Sequence, residues 1–219
     1  MKPAVKIAAA VLFVSAAYYF YRAQGQVTGG GGIYLPDEAT DIFESVTQST
    51  SEFLDNITGG AMKLSAMSQV TASDVGNKNV QAFLRVIRRG EGTSDADGYR
   101  RIFGGELFTG YADHPRKLVV KNGYRSTAAG AYQALTSTWD ETRRIMGLRD
   151  FSPTSQDWFG VGRIAARGAL DDVKAGRFAV AIGKVAKEWA SLPGSPYGQP
   201  TISMAVAAKV FAASGGVTV

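Results

Sequence analysis

The stretch NVQAFLRVIRRGEGT, residues 79–93, decides how this sequence is interpreted. Its apolar side chains recur at helical spacing, and the Asn that opens the compact region at position 77 is suited to cap the first turn. Gly90 and Gly92 weaken a helix, so the helix is predicted to end there. Glu91 is therefore predicted to lie at the C-terminal end of a helix, between two glycines.

Glu91 has surroundings that suit a catalytic acid. Cleavage of a glycosidic bond requires an acid that protonates the leaving oxygen, and a carboxyl does so near neutral pH only when burial or a negative field raises its pKa. The negative end of the helix dipole disfavours the ionised form of Glu91, and the flanking glycines let a substrate approach closely. From position alone, a solvated glutamate at a helix end is the more common interpretation.

The rest of residues 79–219 predicts an α+β domain that is mainly α. Short strands are expected only within residues 99–132, where glycine-bearing turns surround the run Lys117-Leu118-Val119-Val120. Apolar periodicity predicts further helices around residues 139–146, 155–167, 171–175, 178–191 and 201–214. A Trp in a helical apolar pattern is more often core than sugar platform, so Trp139, Trp158 and Trp189 are assigned to the core.

The composition excludes several classes of enzyme. The sequence has no Cys and a single His, which is too few ligands for a usual zinc site and leaves no thiol nucleophile. Zinc-dependent amidases and peptidases and Cys-His peptidases are thereby excluded. The single His, His114 in Asp-His-Pro-Arg, is expected to order a loop through hydrogen bonds rather than to act in catalysis.

The charge of residues 79–219 favours an anionic partner. This part carries 19 Lys and Arg against 12 Asp and Glu. Nucleic acid, anionic lipid and the anionic bacterial envelope all fit such a balance, and so does ordinary solubility charge. No recognition motif and no alternation of aromatic and basic residues supports binding to nucleic acid. Nucleic acid is therefore not expected as a partner.

The first 25 residues predict a membrane or signal-anchor segment. Lys2 and Lys6 precede an apolar run from Ile7 to Phe20, which Tyr21 extends by one residue. The run is shorter than the ~20 residues that a helix needs to cross a bilayer. A cleaved signal peptide, a stable anchor and a signal-anchor that later leaves the membrane all fit, and we favour an uncleaved segment. The positive charge before the run places residue 23 onward outside the cytoplasm, on the periplasmic or extracytoplasmic side. The expected membrane contact is residues 7–21.

Residues 26–78 are predicted to connect this segment to the domain. Four consecutive glycines at residues 29–32 indicate a flexible joint. Apolar side chains at spacings of three and four predict one amphipathic helix over residues 37–57. That helix either packs on the catalytic domain or mediates self-association or binding to a virion partner. Residues 61–78 are predicted to be linker.

Several sequence blocks in the domain occur together in one order. They are Glu91-Gly92-Thr93, Gly98-Tyr99, residues 104–108 (GGELF), residues 113–118 (DHPRKL), residues 126–133 (STAAGAYQ), residues 150–153 (DFSP), residues 155–157 (SQD), residues 189–194 (WASLPG) and residues 197–199 (YGQ). With these blocks, residues 79–219 resemble the lambda-type phage endolysins, which are lytic transglycosylases of glycoside hydrolase family 104 with a lysozyme-like fold. The first 78 residues fall outside the resemblance.

The resemblance implies roles for particular residues. The Glu of the Glu-Gly motif is the family's catalytic acid and base, which carries over to Glu91. The Gly-x-Tyr-Gln element, residues 130–133, lines the sugar cleft, so Tyr132 and Gln133 are expected to contact substrate. Tyr197 and Gln199 are further expected contacts. The resemblance implies peptidoglycan glycan strands as the partner, and no cofactor and no metal.

Two chemical outcomes remain open at this point. A transglycosylase needs no activated water, because the 6-hydroxyl of the muramic acid attacks its own anomeric carbon. Hydrolysis usually needs a second carboxylate. T4-type lysozymes have an Asp or Cys nine residues after their catalytic Glu and a Thr six residues further on. Those positions hold Arg100 and Glu106 here, so that hydrolytic pattern is absent. A second carboxylate could still come from Glu106, Asp95, Asp97 or Asp113.

The alternatives to a lytic transglycosylase are a hydrolytic muramidase and a catalytically inert protein that binds peptidoglycan or serves as a structural virion component. Two biological roles fit a transglycosylase activity. One is an endolysin that is exported by its own signal-anchor and released at lysis. The other is a virion-associated lysin that opens the wall for genome entry.

Overall fold

The computed structural model describes residues 65–121 and 124–219, and the helices dominate this part of the chain. In chain order its elements are α1 (Ala72–Val75), α2 (Lys78–Gly90), a 3-10 turn (Gly98–Arg100), β1 (Val119–Lys121), β2 (Tyr124–Ser126), α3 (Thr136–Met146), α4 (Pro153–Ala166), α5 (Leu170–Lys174), α6 (Phe178–Val185) and α7 (Met204–Ala213). The predicted class, α+β and mainly α, is confirmed for these residues.

Helix α2 is the central helix of the described domain. The side chain of Asn77 accepts hydrogen bonds from the backbone N–H groups of Asn79 and Val80, which fixes where the helix begins. The helix packs against α7, α5 and α4, and its apolar residues Val80, Ala82, Phe83, Leu84, Val86 and Ile87 are all buried. The last helical residue is Gly90, and Glu91 caps the C-terminus, as the sequence predicted.

Aromatic side chains fill two parts of the core. Phe83 of α2 meets Phe178 and Phe211 with ring centroids 5.8 and 6.4 Å away, which joins α2 to the C-terminal helices. Phe151 meets Trp139 at 4.7 Å in the other part. Trp139 and Trp189 lie in the core as predicted, whereas Trp158 is only half-buried.

The strands form one small hairpin within the expected range. Strands β1 and β2 are antiparallel, with Val119 opposite Ser126 and Lys121 opposite Tyr124. Isolated bridges tie Ile102 to Ala129 and Ala129 to Ala134, so the segment after the 3-10 turn lies beside the segment that precedes α3. These bridges hold both ends of residues 129–134 and attach Ala129 to Ile102.

The predicted C-terminal helices are present but shorter than their apolar patterns indicate. Helix α6 ends at Val185 instead of residue 191, because residues 186–192 form turns that send their side chains into tertiary contacts. Helix α7 begins after Ser203, whose hydroxyl accepts a hydrogen bond from the N–H of Val206. The turns after α6 carry residues that the candidate site uses.

The structure differs from the linker prediction where it describes that segment, residues 65–78. Thr71 and Asp74 form a capping box at the start of α1. The Met67 side chain is only 1% exposed, and the Asp74 carboxylate accepts a hydrogen bond from Lys174 Nζ at 2.6 Å. The composition of residues 65–78 did not indicate this packing, because the residues that Met67 and Asp74 contact lie far away in the sequence.

Three predictions fall on residues outside those that the structure describes. They are the membrane segment at residues 7–21, the glycine joint at residues 29–32 and the amphipathic helix at residues 37–57. Within residues 65–121 and 124–219, none of the helices combines the length and apolar character needed to span a bilayer.

Candidate active site

Glu91 lies where α2 ends and the chain turns sharply. Gly92 adopts a φ of +69°, a left-handed conformation that favours glycine and redirects the backbone directly after Glu91. The hydroxyl of Ser191 donates a 2.6 Å hydrogen bond to Glu91 Oε1. Gly90 makes this contact possible, because a Cβ at that position would lie 2.5 Å from the Ser191 oxygen. The two glycines thus place Glu91 against the loop that carries Ser191.

The electrostatic environment of Glu91 favours its protonated form. Burial raises the pKa of the Glu91 carboxyl, because a desolvated carboxylate loses its hydration. The hydrogen bond from Ser191 acts in the opposite direction, since it stabilises the charged form, but burial has the larger effect on the pKa. Among the described residues no cation pairs with Glu91. This carboxyl therefore keeps its proton to a higher pH than an exposed glutamate does, which suits a proton donor.

The loop after Glu91 is held by buried hydrogen bonds. Thr93 is fully buried, and its hydroxyl donates a 2.6 Å hydrogen bond to the carbonyl oxygen of Ala131. The Arg88 guanidinium donates two hydrogen bonds to the Thr93 carbonyl oxygen and lies 4.4 Å above the ring of Tyr99. Gly98 packs so closely on the Thr93 backbone that a Cβ would overlap it. Glu91 is thereby attached to a rigid loop.

Gln156 fixes the second loop of the site, residues 129–134. Its side chain is 1% exposed, and its carbonyl oxygen accepts a 2.8 Å hydrogen bond from the N–H of Ala131. Its amide donates to the carbonyl oxygens of Tyr99 and Phe151 at 3.0 and 2.7 Å. Gly130, with a φ of +78°, has no room for a Cβ beside Gln156. This buried amide connects three segments around the site.

Gln133 is held in an unusual backbone conformation. Its φ is +47°, which a side-chain-bearing residue adopts only when the surroundings enforce it. The side-chain amide donates to the carbonyl oxygens of Arg101 and Gly130 at 3.1 and 3.0 Å. The side-chain carbonyl oxygen of Gln133 has no partner within the described part of the chain, and the residue is partly exposed. Gln133 thus offers an acceptor to a ligand, and its contact with substrate stays a prediction.

Tyr132 lies in the core and not on a sugar-binding surface. The residue is 3% exposed, and its hydroxyl donates a 2.6 Å hydrogen bond to Asp157 Oδ1, which also accepts from Tyr99 at 2.9 Å. Burial raises the pKa of Tyr132 well above its usual range, and that of Tyr99 to about 12. Direct contact between the Tyr132 side chain and a sugar, expected from the sequence, is disfavoured because packing encloses the ring.

Tyr197 and Gln199 lie on the surface of the long loop between α6 and α7. Both side chains are exposed, and the Tyr197 hydroxyl donates to the carbonyl oxygen of Lys187 at 2.9 Å. Ser191 belongs to the same loop, which places these residues on the segment that contacts Glu91. Their role as substrate contacts stays a prediction.

The four candidate second carboxylates each pair with a basic side chain. Glu106 binds Lys117 and Asp95 binds Arg101, both at 2.6 Å. Asp97 binds Arg100 at 2.6 Å. Asp113 accepts from Arg143 at 2.8 Å and from Trp139 Nε1 at 3.1 Å. In the described chain none of them is hydrogen-bonded to Glu91 or Ser191.

His114 orders a loop, as predicted. It is 2% exposed, its Nδ1 accepts a hydrogen bond from the N–H of Arg116 at 3.0 Å, and its Nε2 lies 2.9 Å from the carbonyl oxygen of Ala134. Because Nδ1 accepts, Nε2 carries the proton and donates to Ala134. Burial lowers the pKa of His114, which keeps the ring neutral.

Sequence reasoning missed Ser191, Thr93 and Asp157 as members of the site. All three occur in the sequence blocks that carry the family resemblance. Nothing in their local pattern distinguishes them, because their partners are Glu91, Ala131 and Tyr132 in distant segments. The described residues contain no cluster of three or more His, Asp or Glu side chains suited to a metal.

Comparison with known proteins gives a match over most of the described domain. The family model described as Endolysin matches residues 81–218. The endolysin of Escherichia phage lambda is 47% identical over 130 residues, which cover 56% of this chain and 82% of that protein. The endolysin of Escherichia phage P2 is 40% identical over 157 residues, which cover 64% and 95%.

Solved structures give the same fold. Bacteriophage lambda lysozyme complexed with a chitohexasaccharide superposes with a TM-score of 0.62 and 41% identity, over 65% of this chain and 97% of that chain. A second structure of lysozyme from bacteriophage lambda gives a TM-score of 0.58 and 40% identity over the same shares. The described domain therefore has the lysozyme-like fold.

Proposed function

This chain belongs to the Endolysin family, and we propose that it cleaves the glycan strands of bacterial peptidoglycan as a lytic transglycosylase. The bond cleaved is the β-1,4 linkage from N-acetylmuramic acid to N-acetylglucosamine, and the product carries a 1,6-anhydromuramic acid end. Membership in the family supports action on peptidoglycan. The transglycosylase chemistry is argued from the surroundings of Glu91.

The observation that carries this proposal is that, within residues 65–121 and 124–219, the Glu91 carboxyl has a single hydrogen-bond partner and no cation. Its Oε1 accepts one hydrogen bond, from the neutral hydroxyl of Ser191. Burial raises its pKa, and the four carboxylates considered as helpers are each engaged by lysine or arginine. A single carboxyl held as an acid fits a reaction in which one group first donates and then accepts a proton.

In the first step, Glu91 protonates the oxygen of the glycosidic bond. Because Ser191 occupies Oε1, the proton is carried on Oε2. The bond between the muramic acid C1 and that oxygen breaks, and the sugar that follows leaves as an alcohol. The positive charge that develops at C1 lies near the newly formed Glu91 carboxylate, which stabilises it.

In the second step, the same carboxylate acts as a base. The C6 hydroxyl of the muramic acid attacks C1 and forms the new C1–O6 bond. Its proton returns to Glu91, which restores the acid for the next cycle. No water is consumed, and the reaction needs no second carboxylate to activate one.

The substrate contacts that we propose lie on the two loops beside Glu91. The related lambda lysozyme binds a chitohexasaccharide, and by analogy a glycan strand lies along this site. The unpartnered carbonyl oxygen of Gln133 is placed to accept a sugar hydroxyl or amide. Tyr197 and Gln199 offer exposed contacts from the other loop. Tyr132 contributes by supporting the loop of residues 129–134 through its hydrogen bond to Asp157.

Analysis of the cleavage products tests the proposal. The full chain and its Glu91→Gln variant are incubated with purified peptidoglycan, and the soluble fragments are identified by mass spectrometry. We expect fragments that end in 1,6-anhydromuramic acid from the natural chain and none from the variant. Reducing muramic acid ends would identify a hydrolytic muramidase instead, and the absence of any fragment would identify an inert binding protein.

The place of action is a separate proposal that rests on the sequence. Residues 7–21 would hold or export the chain at the membrane, with the catalytic domain on the periplasmic or extracytoplasmic side. Fractionation of producing cells tests this, and recovery of the full chain in the cytoplasm would contradict it. Copurification with phage particles would support the virion-associated role over release at lysis.

A further inference from the structure

A groove with a strongly basic wall lies beside the C-terminal end of α2. Its volume is about 290 Å³, and we call it the basic groove; it is lined by Arg85, Arg88, Arg89, Ser94, Val210 and Ser214. The three arginines come from the last two turns of α2, and the valine and Ser214 come from α7 and its C-terminal cap. Basic, hydroxyl and apolar groups thus converge on one small space.

Only one of the three arginines has a clear structural task. Arg88 donates to the carbonyl oxygens of Thr93 and Asp95 and stacks over Tyr99, so its guanidinium holds the loop. Arg85 and Arg89 are exposed, and within the described residues neither forms an ion pair or a side-chain hydrogen bond. Like charges four residues apart on a helix repel each other. An anionic ligand would relieve that repulsion.

The basic groove adjoins the catalytic residue along the chain. Arg89 precedes Glu91 by two residues in the same helical turn, and Ser94 follows it by three in the loop that Thr93 fixes. Helical residues two apart do not share a face, so a ligand that occupies the groove while its glycan lies at Glu91 must extend away from the bond that is cleaved. The peptides attached to the muramic acids of peptidoglycan extend in this way, and they carry free carboxylates on short aliphatic chains.

We propose that the basic groove binds a carboxylate of the peptide attached to the glycan, and thereby makes the protein prefer glycan that carries charged peptides. This inference rests on the proposed substrate, peptidoglycan. The planar guanidinium groups of Arg85 and Arg89 match a carboxylate with paired hydrogen bonds. The hydroxyls of Ser94 and Ser214 add neutral donors, and Val210 packs against an aliphatic segment of the peptide.

A lipid phosphate is the competing ligand of similar charge. A bilayer presents its phosphates on a broad surface, where arginines on an open face would serve as well as arginines in a groove. The concave shape, the apolar wall and the short distance in sequence to Glu91 favour a group carried by the substrate itself. Binding to membranes is therefore treated as an outcome that the test can detect.

Binding to two matched glycan fragments tests the proposal. Both fragments have the same length and the same peptides, but in one the peptide carboxylates are converted to amides. Affinities are measured with the full chain carrying Glu91→Gln, so that no cleavage occurs. We expect the charged fragment to bind about tenfold more tightly than the amidated one, as for one charge-assisted hydrogen-bonded pair. Adding Arg85→Gln and Arg89→Gln should abolish this difference.

The control separates a specific groove from general positive charge. Arg144 and Arg149 are exposed and unpaired within the described chain, so Arg144→Gln with Arg149→Gln removes the same charge elsewhere. This control should keep the tenfold preference. Equal affinities for the two fragments, or equal losses in both double variants, would overturn the proposal.

Two further readouts distinguish the possible failures. If the Arg85→Gln/Arg89→Gln variant loses binding to vesicles of anionic phospholipid, while neither fragment is preferred, the groove binds lipid phosphate and the proposal is wrong. Cleavage of the amidated fragment by the chain with Glu91 intact reports on the proposed function alone. A preference for the charged fragment without any cleavage would support the groove and contradict the enzymatic proposal.

Discussion

Two glutamates in this domain have opposite surroundings although the turns after α6 take part in both: they carry Glu188 itself and Ser191, the partner of Glu91. Glu188, whose side chain is 9% exposed, accepts a hydrogen bond from Arg163 at 2.7 Å and another from Arg167 at 2.7 Å. Among the described residues, Glu91 accepts a hydrogen bond only from the hydroxyl of Ser191, which lies three residues after Glu188. One carboxylate is neutralised by two cations, while the other is left with a neutral donor.

The comparison shows that the glutamate with two arginine partners stabilises the structure, whereas the glutamate without a cation is suited to acid catalysis. A buried carboxylate paired with arginines ties segments of the chain together, and removing either partner is costly. A buried carboxyl without a cation favours the protonated form, which is the state that an acid catalyst needs. The turns after α6 carry both Glu188 and Ser191, so their departure from the predicted helix is part of the site.

The largest expected effect comes from removing the unpaired carboxyl. Glu91→Gln keeps the size and a hydrogen-bonding group but cannot donate a proton to the glycosidic oxygen. We expect the rate of peptidoglycan cleavage to fall by about 10³-fold, measured by release of soluble fragments at neutral pH. A variant that retains more than a tenth of the activity would show that Glu91 is not the acid.

The same variant should be more stable than the natural chain at neutral pH. Because burial raises the pKa of folded Glu91 above its unfolded value, its favourable contribution exists below the unfolded pKa and is lost as pH rises through the folded pKa. Gln carries no such cost, so we expect a melting temperature about 2–4 °C higher at pH 7. At pH 4 the two proteins should melt together, and a gain of equal size there would contradict the argument.

Removing one partner of the paired carboxylate should damage the fold instead of the chemistry. Arg163 binds both Glu188 and Glu141 and its side chain is only 10% exposed. Arg163→Met should lower the free energy of unfolding by about 3 kcal/mol, measured by urea denaturation. Arg144→Met replaces an exposed arginine and should change the free energy of unfolding little. Equal effects of the two substitutions would contradict the contrast between the two glutamates.

Ser191→Ala should change catalysis moderately and move its pH dependence. The hydroxyl lowers the pKa of Glu91 by stabilising the carboxylate, so its removal should shift the alkaline limb of the pH–rate profile upward. The rate should fall about tenfold through loss of the hydrogen bond that orients the carboxyl. Ser73→Ala, at an exposed position of α1, serves as the control. An alkaline limb that stays in place would exclude Ser191 as a positioning residue.

The smallest expected effect concerns a paired carboxylate far from the site. Asp74, bonded to Lys174 and Thr71, has its pKa lowered to about 2. Its contribution to stability is therefore present above the unfolded pKa and lost as pH falls through about 2. Asp74→Asn should lower the free energy of unfolding by about 1 kcal/mol at pH 7, and this loss should shrink as the pH falls through about 2 and be absent near pH 1. A loss that persists near pH 1 would assign the effect to packing.

The sequence was sufficient wherever the structure depends on local pattern. The cap at Asn77, the buried face of α2 and the helix-terminal position of Glu91 all follow from residues within a few positions of one another. The family resemblance identified Glu91 and the loop with Gln133. Neither source of information indicated that Ser191 binds Glu91, because those two residues are 100 positions apart.

Two misassignments have the same physical origin. Residues 65–78 have the composition of a linker, yet Lys174, 100 positions away, neutralises Asp74 and fixes the segment. Tyr132 belongs to the cleft motif, yet Asp157 and Trp189 on later segments enclose it, with the Trp189 ring N–H donating to its carbonyl oxygen at 3.1 Å. Tertiary partners decide whether a side chain faces ligand or core, and local sequence does not contain them.

The protonation state of Glu91 is the claim on which the mechanism depends most. A carbon-13 NMR titration of the glutamate side chains in the full chain, with the Glu91 signal assigned by its absence in Glu91→Gln, measures this directly. We expect the Glu91 carboxyl to titrate above the usual 4.5 for a glutamate. A titration at or below 4.5 would show that burial does not hold the proton on Glu91, and it would contradict its role as the proton donor.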